Sequence, residues 1–110
     1  MRQMPYKELV RQRDEKNFRI IDVREPDEFA EVHVKGAELF PLSKLRDGEY
    51  PEPDERPVAV ICRVGGRSQR ACQMLEAAGW EDLYNVSDGT IGAVEAGEEH
   101  VVRGDEPDGE

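Results

Sequence analysis

An α/β domain built on a parallel sheet is predicted by three features of this 110-residue chain. Apolar, β-rich runs at 18–23, 37–40, 58–61 and 83–86 alternate with stretches of helical spacing. The runs lack strict in–out alternation, the pattern of strands covered on both faces. The length suits a single domain with one core and is too short for two.

Pro5 to Arg13 reads as a first helix, with proline in its first turn and Tyr6, Leu9, Val10 and Arg13 at helical spacing. Phe18 to Val23 is a strand, buried from Ile20 onward, with Asp22 and Arg24 at its carboxyl end. Pro26 to Val32 is a short helix with Asp27 and Glu28 in the first turn, where negative charge suits the dipole, and Phe29 as its core anchor. Ala37 to Phe40 is a short strand stopped by Pro41, and Leu42 to Leu45 a helical turn. Residues 47–57 hold three prolines, a glycine and five acidic residues, which makes them a solvated loop; whether this loop docks a basic partner is left open. Val58 to Ile61 is the central strand. Ser68 to Ala78 is a helix with Ala71, Leu75 and Ala78 on one face and Gly79 placed to end it. Trp80 reads as a lid on the core, Leu83 to Val86 as the last parallel strand, and Ser87-Asp88-Gly89 as the turn into a helix through Ala96. The domain is drawn at 1–102, and the acidic, glycine-rich 103–110 is expected to be a disordered tail.

The net charge of −10, from 15 basic and 25 acidic residues, argues against nucleic-acid or anionic-membrane partners. An anionic substrate must therefore be drawn in locally. With a Debye length of about 8 Å at physiological salt, Arg63, Arg67 and Arg70 outweigh distant carboxylates at their own loop. No apolar run approaches a membrane span and no leader is visible, so a cytoplasmic location is expected. The two cysteines do not read as a disulfide, because a helix starting near Arg67 carries Cys72 too far along its axis. Cys72 is a packing residue. Two cysteines and two histidines at scattered spacings form no metal site, and no cofactor is called for.

Chemistry concentrates in Cys62-Arg63-Val64-Gly65-Gly66-Arg67-Ser68. The glycine pair allows positive φ, so successive amides can turn inward into a small cup. A helix starting just beyond adds unsatisfied amides and the positive end of its dipole. The cup, Arg63 and Arg67 all favour thiolate over thiol at Cys62. The plain alternative is that a cysteine after a Val/Ile run is a small buried hydrophobe; the glycine pair and the two arginines favour the reactive reading.

This loop resembles the C-x-x-G-x-R-S active-site loop of rhodanese-like sulfurtransferases. Ile21-Asp22-Val23-Arg24-Glu25-Pro26-Asp27-Glu28-Phe29, His33-Val34-Lys35-Gly36-Ala37 and Asn85-Val86-Ser87-Asp88-Gly89-Thr90 follow the family's order over residues 5 to 97. The resemblance implies a five-stranded, mainly parallel sheet with helices on both faces and a thiosulfate sulfurtransferase that works through a Cys62 persulfide. The donor would be a small anionic sulfur compound and the acceptor thiophilic: cyanide, a thiol or a protein thiol. Arg63 would recognise the donor, Arg67 align the loop, and Val64, Gly65, Gly66 and Ser68 complete the cup. Asp22 and Arg24 would support it, the alternative being an ordinary ion pair at a strand end. His33 matches a structural, hydrogen-bonding histidine of the family rather than a general base. Three departures stand out: Val32 replaces a glycine, Asp88 replaces one of two adjacent glycines, and Val94 replaces a tryptophan. The last two bear on substrate choice: the lost aromatic bulk at Val94 implies a looser pocket edge, and Asp88 adds negative charge near it.

Two competing functions remain open from sequence. A persulfide relay or rhodanese-like binding module would keep the same cysteine and serve a protein partner. A cysteine phosphatase or arsenate reductase also sets a thiolate under amides, but Cys62 to Arg67 is C-x4-R where related phosphatases use C-x5-R, which leaves a cup sized for one sulfur atom.

Overall fold

Val58–Ile61 forms β5, the middle strand of the molecule, because four small or β-branched apolar residues there are all buried. The computed structural model describes residues 1–104. Around β5 stands a five-stranded sheet in the order β1-β6-β5-β2-β4, formed by Arg2–Met4, Leu83–Val86, Val58–Ile61, Arg19–Asp22 and Glu38–Leu39, every neighbouring pair parallel. The four strands read from the sequence are present. The fifth, β1, is three residues at the edge with only Met4 buried, too short and too polar to show a pattern.

Strand periodicity sorts the core into two clusters. Ile20, Ala59, Ile61 and Val86 pack on one face with Tyr6 and Leu9 of α1 (Tyr6–Gln12) and Ala93 of α5 (Gly89–Ala96). Ile21, Val23, Val58, Val60 and Leu83 pack on the other with Leu42 and Leu45 of α3 (Leu42–Arg46) and Ala71, Cys72 and Leu75 of α4 (Gly66–Ala77). Cys62 continues the Val58, Val60 row, so its side chain falls on the α4 face. Asn85, opposite Val60 in the β5–β6 register, is in line with that row. The strand order, not any local motif, therefore brings Cys62, Asn85 and the start of α4 together.

Helix ends follow their residues. α4 closes in a Schellman arrangement, with Gly79 at φ +97° donating to the Glu76 carbonyl and Trp80 to that of Leu75. Trp80 is half-buried against the α4-side core, with the Arg19 guanidinium 5.6 Å from its ring centre. Arg19 also holds Glu38 and the Glu52 carbonyl, which ties the exposed acidic loop to the base of β2. α2 (Pro26–Glu31) begins in a capping box between Glu25 and Glu28.

Two expectations need correction. α2 stops at Glu31, and Val32, its C-cap, is extended at φ −162° and opens β3 (Val32–Val34), so a valine in place of glycine needs no unusual backbone. Nor does the ordered chain stop at 102. A 3₁₀ turn at Glu98–His100 leads into β7 (Val101–Arg103), which pairs antiparallel with β3 and includes Arg103. Three-residue strands carry too little pattern to be read in advance. The expectation for 105–110 lies outside the described residues.

Candidate active site

The Cys62 sulfur lies beside the amino end of α4, whose N-cap is Gly65. No side chain caps that helix, and the Gly65 amide donates to Sγ at 3.2 Å. Cys62 is 1% exposed, so burial pushes the thiol pKa up. The Sγ–Ser68 hydroxyl contact, in which the neutral thiol donates at 3.4 Å, and hydrogen bonds from the Ser68, Gly65 and Val64 amides more than offset it, and the net pKa lies below the ordinary thiol value. The amides face the sulfur; it is not sealed in hydrocarbon.

Two glycines make this geometry possible. Gly65 takes φ +97°, and a Cβ there would lie 2.6 Å from the Ser87 carbonyl oxygen. Gly89, at φ +59°, lies so close to the Cys62–Arg63 peptide that a Cβ would collide with both carbonyls. Past it, the Thr90 amide and hydroxyl both donate to the Cys62 carbonyl at 2.9 and 3.1 Å, and the Ile91 amide reaches that of Arg63. The start of α5 thus clamps the loop from behind. Gly66 has no positive φ and is the first residue of α4, so one glycine, not the pair, turns the chain, and the helix starts ahead of Ser68.

The two arginines part company. Arg67 makes a bidentate pair with Glu28 at 2.7 and 2.8 Å, which latches the loop to α2. That guanidinium holds the Glu28 carboxyl down at about 2. A depressed carboxyl stabilises the fold above its unfolded pKa and loses that contribution as pH falls through its folded value. The stability advantage of wild type over Glu28→Gln, read from urea midpoints, is expected in full above pH about 4.5 and gone near pH 2. An advantage that persists at pH 2 would mean the latch is not ionic. Arg63 instead lines a cleft of about 150 Å³ with Arg24, Glu28, Glu31, Val32, Thr90, Ile91 and Val94, while Val64 at the loop tip is 58% exposed.

Residues 5–94 match the family model for the rhodanese-like domain. The chain belongs to the rhodanese-like domain family. It is 40% identical over 70 residues to the YqhL protein of Bacillus subtilis, covering 64% of this chain and 56% of that one. It is 34% identical over 82 residues to the thiosulfate sulfurtransferase GlpE of Coxiella burnetii, covering 74% of each. The crystal structure of a rhodanese-related protein from Thermoplasma volcanium superposes with a TM-score of 0.79 at 28% identity, covering 93% of this chain and 98% of that one. This rhodanese-like domain spans little more than half the length of the B. subtilis relative.

Arg24 clasps Asp22 through Nε and Nη2 and donates to the Val32 carbonyl at 2.6 Å, both residues being buried. Among the described residues this pair's hydrogen bonds run to each other and to β3, not to the loop; Arg24 meets the site as a wall of the cleft. His33 places Nδ1 2.8 Å from the Phe29 carbonyl and stacks on the Phe29 ring at 3.7 Å, joining α2 to β3. Asp88 corrects an expectation: its carboxylate accepts the Tyr6 amide at 2.7 Å at the start of α1 and does not line the cleft, whereas Val94 does. Both cysteines are free, and burial pushes the Cys72 thiol up to about 12, which suits packing. Among the described residues no group of three His, Cys, Asp or Glu side chains could hold a metal, and no helix is long and apolar enough to cross a membrane. A larger cavity of about 530 Å³, lined by Asp54, Arg56, Trp80, Glu81 and Asp82, lies at the amino ends of β5 and β6, away from Cys62.

Residues missed in the sequence are Glu28, Asn85 and Thr90. Glu28 looked like a helix-start acid, Asn85 an interior strand residue and Thr90 the start of a helix. The parallel register gives Asn85 its partners in the loop, the α5 clamp gives Thr90 its own, and the approach of α2 to α4 brings Arg67 to Glu28.

Proposed function

We propose that this domain is a sulfurtransferase that carries sulfane sulfur on Cys62, with thiosulfate or a similar anion as donor. The single observation behind the reading is the thiol at the start of α4, bonded by the Gly65 amide and lowered in pKa by Val64 and Ser68 amides as well. The thiolate attacks the outer sulfur of thiosulfate, the S–S bond of the donor breaks with its electron pair, and sulfite leaves. Cys62 then carries a persulfide whose negative charge sits on the new terminal sulfur, where main-chain donors and the α4 dipole hold it as an oxyanion hole holds oxygen. A thiophilic acceptor such as a thiolate or cyanide attacks that sulfur and regenerates the Cys62 thiolate. Arg63, lining the cleft with no carboxylate partner among the described residues, binds the sulfonate end of the donor. Arg67 is held by Glu28 and orients the loop. Asp22 and Arg24 support the cleft wall. Similarity to a thiosulfate sulfurtransferase supports the donor.

Incubation with thiosulfate is expected to add about 32 Da to the intact protein, removable by a thiol reductant and mapping to the Cys62 peptide rather than the Cys72 peptide. No added sulfur on Cys62 would overturn the proposal. A second reading, persulfide relay to a protein thiol, is favoured by the exposed apolar side chains of Val64 and Ile91 beside the cleft. Loading followed by negligible turnover to small acceptors would select it.

A further inference from the structure

We propose that Asn85 is a positioning residue that governs ionisation of Cys62, by competing with the cysteine sulfur for the one hydroxyl proton of Ser68. This rests on the reading of Cys62 as the nucleophile. Ser68 is fully buried between the two: Cys62 Sγ lies 3.4 Å from its hydroxyl oxygen, and that oxygen lies within hydrogen-bond reach of Asn85 Oδ1. Asn85 is 2% exposed and its amide is locked. Nδ2 donates to the Gly65 carbonyl at 3.2 Å, an acceptor only, and to Gln3 Oε1 at 2.8 Å, so Oδ1 must face Ser68.

A serine hydroxyl has one proton to give. With Cys62 neutral, every group is satisfied: the thiol donates to Ser68, and Ser68 donates to Asn85. When the thiol proton is lost to solvent, the Ser68 oxygen would face the new anion with its lone pairs. The hydroxyl must rotate and donate to Sγ, and Asn85 Oδ1 then stays buried without that donor, a costly state. Asn85 therefore favours the states in which Sγ is neutral. These are the thiol and the persulfide, whose charge resides on the outer sulfur. The bare thiolate is kept less stabilised, and so more nucleophilic, than the amide cup alone would leave it.

Other charged groups around the sulfur do not enter this exchange. From α4, Arg67 is paired with Glu28 and the Cys72 thiol is held neutral; beyond β2, Asp22 is paired with Arg24. Asp88, in the β6–α5 turn, is bonded to the Tyr6 amide, and Arg63 lines the cleft mouth. None of them bonds to Ser68 or Asn85 among the described residues.

The test is the pH profile of Cys62 alkylation by iodoacetamide, followed by mass spectrometry of the Cys62 peptide. Asn85→Ala is expected to move the midpoint to lower pH, raising the thiolate fraction below it about fivefold, the size of one net hydrogen bond, and to speed alkylation there about twofold, since the better-stabilised thiolate is the weaker nucleophile. Ser68→Ala is expected to move the midpoint up, and the double variant to behave as Ser68→Ala alone. Asn85→Leu keeps the side-chain volume and should act like the alanine. A midpoint that rises or stays put in both Asn85 variants overturns the proposal, as does an Asn85 effect that persists without the Ser68 hydroxyl. Should the Asn85 variants not fold, the Raman S–H stretch of Cys62 in wild type decides: a hydrogen-bonded band that shifts on Ser68→Ala supports the competition, and an unshifted one overturns it. Alkylation reads the thiolate without any sulfur donor, so a protein that takes no sulfur from thiosulfate but shows this coupling refutes sulfur transfer and keeps the role of Asn85.

Discussion

Cys62→Ser is expected to release sulfite from thiosulfate no faster than the uncatalysed reaction in a single turnover, a loss of at least about a thousandfold. The change alters one atom and leaves the cup, the α4 terminus and both arginines in place, so donor binding survives while chemistry does not. A serine hydroxyl stays protonated at neutral pH and is a poor nucleophile toward sulfur. Arg63→Ala should separate from it cleanly. It removes charge at the cleft mouth and is expected to weaken donor binding about tenfold while the rate at saturation falls less. Wild-type loading should follow the thiolate: flat above the lowered Cys62 pKa and falling with pH below it, because only the deprotonated sulfur attacks. Stopped-flow sulfite detection from pH 5 to 9 checks all three. Sulfite release that persists in Cys62→Ser would move the chemistry off this loop altogether.

What sequence makes visible here is whatever a short stretch carries by itself. The Val58–Ile61 run, the turn glycine and the arginines announce a strand, a cup and a helix with a thiol at the junction, and the structure has them in that order. Gly79 announces the end of α4 for the same local reason, a positive φ that few other residues accept. Asn85 and Thr90 stayed hidden because their partners lie 17 to 28 residues away, across a strand pairing that no local pattern encodes. Asp88 misled in the opposite direction. It sits one residue from a loop-clamping glycine, yet its carboxylate points to the amide of Tyr6, 82 residues away, and serves α1. The β3–β7 pair was illegible because three residues per strand give period 2 almost no length in which to appear.

Asp22→Ala is expected to cost about 3–5 kcal/mol of folding stability, a large share of the roughly 5–15 kcal/mol of a domain of this size. The reason is the group left behind more than the group removed. Arg24 is 4% exposed, and both carboxylate oxygens of Asp22 bind its guanidinium. Without Asp22 a permanently charged side chain stays buried with the Val32 carbonyl as its hydrogen-bond acceptor among the described residues. Asp22→Asn should fall between, since an amide oxygen still accepts from Arg24 but brings no charge. Arg24 also holds β3 against the end of β2 and walls the cleft beside Arg63, so the damage should reach function: at temperatures where Asp22→Asn is still folded, donor affinity should fall before the Cys62 alkylation rate does. Urea midpoints and thiosulfate titrations read the two effects separately. Near-wild-type stability in Asp22→Ala would mean that Arg24 finds water or another acceptor through the cleft, and that the pair is the surface-like ion pair its place at a strand end allows.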